Sequence, residues 1–128
     1  MKFEQINPYL RFVRMLTLNS RAAYTPLVPY DARLFYAAKG SSTIKAHDKL
    51  YDMYKGCVLI IPPGVKYHLQ TPEHHITYIA VNFDYTNAKA HLKTPIPPDA
   101  PQHFNKNGLL AKAEFSDLTQ FNSPLYLT

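Results

Sequence analysis

Cysteine, tryptophan and long apolar runs are scarce or absent in this chain of 128 residues. The single cysteine, Cys57, excludes an internal disulfide and any cluster of thiolate ligands. No apolar run approaches the roughly 20 residues that a membrane-spanning helix needs. Residues 1–5 lack the apolar core of a signal peptide. These absences predict a cytoplasmic protein that has no membrane partner, with Cys57 as a small core side chain.

Clustered positive charge is also missing, although the formal net charge is +5. The 14 lysines and arginines are scattered among nine acidic residues, and they form neither a run nor a stripe of helical spacing. A nucleic-acid interface would concentrate this charge on one surface. The composition therefore predicts a mildly basic, solvated surface, and no DNA binding by these residues themselves.

Proline and tyrosine are abundant, with eleven and ten copies against four glycines. Short apolar and β-branched segments recur between turn-forming residues, and no segment has the length and period of a helix. The predicted strands cover residues 10–18, 32–39, 43–47, 49–54, 57–61, 66–70 and 76–84. A polar turn at Asp48 predicts a hairpin between the third and fourth of these strands. The fold class is therefore all-β, a barrel or sandwich of single-domain length.

The character of the chain changes after the last of these strands. Residues 93–101 contain four prolines and predict an extended connector, and the order Asn122-Ser123-Pro124 is typical of a helix start. We therefore expect residues 1–92 to form a barrel with an N-terminal arm. Residues 93–128 are expected to pack back on it and to end in a helix that the chain cuts short. The apolar anchors available to this tail are Phe104, Leu109, Leu110, Phe115 and Phe121.

A glycine-proline-glycine pattern flanks the most apolar of the predicted strands. Gly56 precedes it, Pro62 and Gly64 form the corner after it, and His68 lies in the next short strand. This spacing resembles the second sequence motif of the cupin barrels. The resemblance implies a double-stranded β-helix, or jelly-roll, that holds its ligand inside the barrel.

The order of several short motifs resembles the N-terminal effector-binding domain of AraC-type (arabinose regulator type) transcription factors. These motifs are residues 7–9, residues 31–36 followed by Gly40, residues 56–68 and residues 81–84. The likeness covers nearly the whole chain. It implies a barrel that binds a small effector, often a sugar, a dimerising helical segment, and a separate DNA-binding domain that lies outside this chain. It also implies that the arm around Pro8 folds over the pocket.

The alternative is a standalone cupin enzyme, a metal-dependent isomerase or dioxygenase. Metal cupins take a His-x-His pair and a glutamate from their first motif and a histidine from the second. The corresponding residues 40–56 contain His47 but no second histidine and no glutamate. Because His47 and His68 alone are an incomplete set of ligands, we expect no metal, no cofactor and no catalytic residues.

Arg33 is the sharpest candidate for ligand binding, because it is in phase with Phe35 and Ala37 on one face of a strand. A guanidinium on a core-facing side needs a partner. A sugar or carboxylate effector is one such partner, and a structural ion pair with Asp31 or Asp84 is the other.

Aromatic and imidazole side chains complete the predicted site. Tyr67 occupies the usual position of the cupin histidine and His68 lies one residue later, so that either of the two faces inward. His68 has the hydrogen-bonding capacity to hold a pair of sugar hydroxyls. Tyr36 and Tyr78 are candidates to stack on a sugar ring or to bond its hydroxyls, each against the alternative of plain packing.

Overall fold

The computed structural model describes residues 1–92, 96–109 and 114–128. Within these ranges the chain is built from seven antiparallel strands and short 3₁₀ turns. The strands are β1 (Tyr9–Asn19), β2 (Ala32–Ala46), β3 (Lys49–Tyr54), β4 (Val58–Ile61), β5 (Tyr67–Leu69), β6 (His75–Asp84) and β7 (Leu125–Leu127). In the described part of the chain, no helix has the length and apolar character needed to cross a membrane.

The long strand β2 belongs to two sheets. Its first half pairs with β6 and β4 in the larger sheet, whose strand order is β1-β6-β2-β4-β7. Its second half pairs with β3 and β5. The sequence predicted two strands that Gly40 separates, and this was wrong. Gly40 adopts a positive φ of 80° beside a register shift, so the strand bends there and continues into the second sheet.

The core lies between the inner faces of these two sheets. Alternate residues of β2 and β4, such as Phe35, Ile44, Leu59 and Ile61, are almost completely buried, while their neighbours in sequence face outward. This alternation is the period that a strand with one covered face requires. Cys57 is buried among them, as its apolar surroundings predicted.

The predicted hairpin around Asp48 is confirmed. His47 and Asp48 form a two-residue connection between β2 and β3, and both have positive φ, 49° and 66°. Two positive φ angles match the right-handed twist of the flanking strands, as in a type I′ turn.

The N-terminal arm and the C-terminal tail pack against each other in a second apolar cluster. Phe115 is buried there against Tyr85, and Phe121 stacks on Phe3 at 5.9 Å between ring centroids. The amide of Ser116 donates to the carbonyl oxygen of Met1 at 3.0 Å. Two predicted anchors, Phe115 and Phe121, therefore hold the tail at this end of the barrel.

Two further anchors contact the barrel elsewhere. Phe104 stacks on Tyr30 at 5.0 Å, and Leu109 lies 3.5 Å from the position that a side chain at Gly64 would occupy. The fifth predicted anchor, Leu110, and residues 93–95 of the predicted connector lie outside the described residues.

The helix expected from Pro124 is not present, and the same residues form strand β7. Ser123 is already extended, with φ −132° and ψ 169°, and Asn122 bonds the backbone of Phe115 instead of capping a helix. Leu125 and Leu127 then pair with the free edge of β4. A full row of ladder hydrogen bonds satisfies more backbone groups than a single helical turn does, and it covers an edge that would otherwise be open.

Candidate functional site

A cavity of about 320 Å³ opens between the inner faces of β1, β2, β5 and β6. The loop before β2 and the connector after residue 95 close two of its sides. Its lining residues are Arg14, Leu16, Leu27, Arg33, Phe35, Tyr67, Leu69, Ala80, Asn82 and Pro98. A second cavity of about 270 Å³ adjoins it and shares four of these residues, Arg14, Leu16, Leu27 and Leu69. The walls are mostly apolar, with a few polar side chains, which is the usual make-up of a small-molecule site.

Arg33 is buried at the wall of this cavity and makes three hydrogen bonds with described residues. Its Nε donates to Asp31 Oδ1 at 3.1 Å, one Nη donates to the Tyr67 hydroxyl at 3.4 Å, and the other donates to the carbonyl oxygen of Ile96 at 3.0 Å. The first contact is an ion pair with both side chains almost inaccessible to water. The structural partner that the sequence left open is therefore Asp31. The same guanidinium also lines the cavity.

The two buried aspartates near the site are paired with different arginines. Burial raises the pKa of Asp31 above its ordinary value, and the charge of Arg33 acts in the opposite direction. Asp84 accepts from Arg11 at 2.6 and 3.0 Å, and Arg11 also donates to the carbonyl oxygen of Lys89. Each buried charge thus has a partner of opposite sign, as desolvated ions require.

Tyr67, and not His68, faces the cavity. Tyr67 is 3% exposed, and its ring packs against Phe35 at 5.5 Å. Burial raises the pKa of the Tyr67 hydroxyl, while the nearby charges of Arg33 and Arg14 lower it. His68 lies on the other face of β5, where its Nε2 is 2.5 Å from the carbonyl oxygen of Tyr24. His68 therefore binds a loop of the protein itself.

Three other predicted residues do not line the cavity. Tyr36 lies on the outer face of β2, opposite to Arg33 and Phe35. Tyr78 is fully buried in the core, edge-on to Phe35 at 5.7 Å, and burial raises its pKa. Pro8 is exposed, because the arm that carries it runs along the second apolar cluster. Of the six predicted residues, the structure brings Arg33 and Tyr67 together at the cavity.

Sequence reasoning missed two polar residues of the site, Arg14 and Asn82. Arg14 lies on the inner side of β1, in phase with Leu16 and Leu18, and Asn82 is in phase with the buried Tyr78 and Ala80 of β6. The alternation around Arg14 was the available signal. It was obscured because Val13 and Met15 on the opposite side are also apolar.

The described part of the chain does not bring together the ligands that a metal ion needs. In it, no three histidine, cysteine or acidic residues lie close enough to hold one. His47 lies on the exposed β2–β3 turn and His68 is engaged with Tyr24. The described side chains of the cavity instead offer hydrogen bonds, positive charge and apolar contact to a ligand.

Comparison with known proteins gives matches to solved structures that share the fold of this chain. No protein-family model and no curated protein matches the sequence. A cupin protein of Bacteroides fragilis matches with a TM-score of 0.50 and 14% identity, over 56% of this chain and 64% of that one, less than two thirds of its length. A protein proposed to be a mannose-6-phosphate isomerase from Ralstonia eutropha has a TM-score of 0.51 and 13% identity, over 61% and 85% of the two chains.

A further match is ToxT of Vibrio cholerae with an unsaturated fatty acid bound, at a TM-score of 0.46 and 15% identity, over 73% of this chain and 36% of that one. ToxT is an AraC-family regulator. Likeness at these identities concerns the fold, and a TM-score below 0.5 carries no inference about function. The chain has an all-β cupin fold, as the spacing of Gly56, Pro62 and Gly64 predicted.

Proposed function

We propose that this chain is the small-molecule effector-binding and dimerisation domain of an AraC-type transcription regulator, acting in the cytoplasm and contacting DNA only through a separate domain. The order of its sequence motifs suggests this family, and the site supports ligand binding. The observation that carries the proposal is the cavity, where Arg33 and Tyr67 place polar groups in apolar walls. Its volume of about 320 Å³ lies in the range of ligand pockets.

The connector gives a physical route from ligand to response. Pro98 lines the cavity, and the carbonyl oxygen of Ile96 accepts a hydrogen bond from Arg33. An isolated bridge between Val28 and Asp99 fixes the same segment to the loop before β2. A ligand in the cavity contacts both Arg33, which bonds Ile96, and Pro98 of this segment, so binding shifts the population of connector positions. Such a shift is the differential contact that coupling to another domain requires.

Catalysis has weaker support than binding. The described residues do not assemble the histidine and acidic ligands of a metal cupin, and the likeness to a proposed isomerase extends to the fold alone. We therefore propose that the domain is not an enzyme. Elemental analysis of the purified protein tests this, and one tightly held equivalent of a transition metal would favour the enzyme instead.

Two apolar rows on the outer face of the larger sheet support a homodimer. The register pairs Val13, Val81, Leu34, Ile60 and Leu125 across the five strands in one row. It pairs Met15, Ile79, Tyr36, Val58 and Leu127 in the next. At about 4.8 Å between strands, each row is about 19 Å long.

We assign a second copy of the chain to this outer face. The two rows of this face carry no charge, so a two-fold axis places them against each other without opposing like charges. An apolar centre with a polar rim is the usual anatomy of such an interface. Met15 is 71% exposed in the single chain.

Sedimentation across a concentration series tests the dimer. Met15→Asp is expected to give a monomer, because it introduces a charge into one of the two apolar rows of the face. Leu50→Asp is the matched control, since Leu50 is 60% exposed on β3, outside the two rows. A wild-type protein that stays monomeric at every concentration overturns the assignment.

The experiment that tests effector binding is a thermal-shift screen of sugars and small organic acids, followed by titration of each hit. A ligand at 100 times its Kd raises the free energy of unfolding by about 2.7 kcal/mol. Tyr67→Phe removes a hydroxyl from the cavity, and Tyr54→Phe removes one from the exposed side of β3, outside the cavity and outside the two apolar rows. Binding is expected to weaken about five- to tenfold in the first variant, the effect of one hydrogen bond, and to stay unchanged in the second. Equal behaviour of the two variants would remove the cavity as the binding site.

A further inference from the structure

We propose that the cavity selects an organic anion, a carboxylate on a compact apolar body, in preference to a neutral sugar. This inference rests on the proposed function and names the ligand class for the same site. It follows from the charge balance of the walls, from the excess of hydrogen-bond donors, and from the apolar remainder of the lining.

The charge of the site is positive. Arg14 and Arg33 are its two charged lining residues, and neither cavity has an acidic side chain among its described walls. Asp31 neutralises Arg33 from behind, so that pair contributes no net charge. Arg14 makes no ion pair or side-chain hydrogen bond with any described residue, yet its charge is close enough to act on Tyr67. A wall with one uncompensated cation concentrates anions and has no electrostatic preference for a sugar.

The hydrogen-bonding groups favour an acceptor. A guanidinium has five N–H donors, and three of those of Arg33 bond described residues, which leaves two that no described residue accepts. Because the Tyr67 hydroxyl accepts from Arg33, its own hydrogen remains to be donated. Arg14 adds further donors, whereas Asn82 is the main acceptor among the described lining side chains. A carboxylate only accepts hydrogen bonds, but each sugar hydroxyl must also donate one.

The rest of the lining is apolar and limits the shape of the ligand. Six of the lining residues, Leu16, Leu27, Phe35, Leu69, Ala80 and Pro98, have no polar side-chain atom. A sugar has hydroxyls around most of its ring, so several of them would be buried against these residues without a partner, which is costly. An apolar body gains free energy from the same contact. The adjoining cavity of about 270 Å³ gives such a body room beyond Arg14.

Isothermal titration of the purified protein with matched probes tests the ligand class. The anions are phenylacetate and 4-methylpentanoate, and their primary amides, phenylacetamide and 4-methylpentanamide, have nearly the same shape without the charge. L-Arabinose is the sugar. We expect each acid to bind at least tenfold more tightly than its amide and than arabinose, and the affinity of the acids to fall with rising salt.

Two arginine variants test whether the preference for acids arises in the cavity. Arg14→Gln is expected to weaken binding of the acids about tenfold and to leave the amides unchanged. Because Arg14 is exposed and bonds no described side chain, this variant is expected to melt near the wild-type temperature. Arg21→Gln removes one exposed arginine from the loop after β1 that lines neither cavity, and is expected to bind like the wild type.

Two results overturn the inference, and they have different consequences for the proposed function. An amide or arabinose that binds as tightly as the acids shows a neutral-ligand site, and the effector-binding proposal then stands. If no probe binds up to 10 mM, roughly the weak limit for a specific small ligand, the anion class is wrong. The wider thermal-shift screen then decides whether the cavity binds a ligand at all.

Discussion

Gly40, where β2 bends from one sheet into the other, offers a sharp test of the barrel. Its φ is +80°, and a Cβ added there would lie 2.2 Å from the backbone carbonyl oxygen of His75 on β6. Gly56 has a similar φ of +97°, but a Cβ there meets nothing within 4 Å. An alanine at either position therefore has the same unfavourable positive φ. Only the alanine at position 40 also clashes with a neighbouring strand.

The expected magnitudes follow from these two terms. Left-handed backbone costs an L-residue about 1–2 kcal/mol, and this applies to both substitutions. Real Cβ atoms essentially never approach closer than 3.0 Å, so β2 and β6 must separate by nearly 1 Å in Gly40→Ala. Strain of this kind costs about 1–3 kcal/mol more. We expect a loss of about 2–5 kcal/mol for Gly40→Ala and of about 1–2 kcal/mol for Gly56→Ala, against a total stability of roughly 5–15 kcal/mol.

Urea unfolding followed by circular dichroism measures both losses, with equal m-values as the condition for comparing them. The reasoning is refuted if Gly40→Ala loses no more stability than Gly56→Ala. It is also refuted if Gly40→Ala unfolds like the wild type, because the bend of β2 would then not need a residue without a side chain. Since β2 also carries Arg33, a destabilised bend is expected to weaken ligand binding as well.

Two other predictions concern buried ionisable groups. Asp31→Asn leaves Arg33 buried without its counter-charge and is expected to cost about 3 kcal/mol in urea unfolding. The exposed Asp52→Asn on β3 is expected to change stability by less than about 0.5 kcal/mol, and equal losses would contradict the buried pair. Burial raises the pKa of Tyr85 to about 12 and also raises the pKa of Tyr78. Above pH 10 the unfolded chain loses these protons first, so stability is fully present below pH 10 and falls by about 1.4 kcal/mol per pH unit for each tyrosine. Unfolding midpoints from pH 8 to 11.5 measure the slope, which Tyr85→Phe should reduce, and a flat profile would contradict the prediction.

Much of the strand pattern was predictable because its causes are local. The hairpin at Asp48 and the corner at Pro62 and Gly64 depend on turn residues within a few positions, and the structure has both. Phase along β2 correctly placed Arg33 on the same inner face as Phe35. These features require only the backbone preferences of neighbouring residues and the period of a strand.

The features that the sequence did not predict depend on pairing between distant segments of the chain. The last residues are a strand because Leu125 and Leu127 meet the open edge of β4, some 65 positions earlier in the chain. Tyr67 faces inward while His68 faces the loop at Tyr24, and a strand of three residues is too short for its own pattern to show this. The sequence left Asp31 and Asp84 open as partners of Arg33, and the fold brings Asp84 to Arg11, 73 positions away, and leaves Asp31 with Arg33. The sequence by itself determined most of the strands and turns, whose causes are local. The tertiary structure decided the course of β2 through Gly40, the strand β7, and which faces and charges meet, because long-range contacts form only when the sheets close around the core.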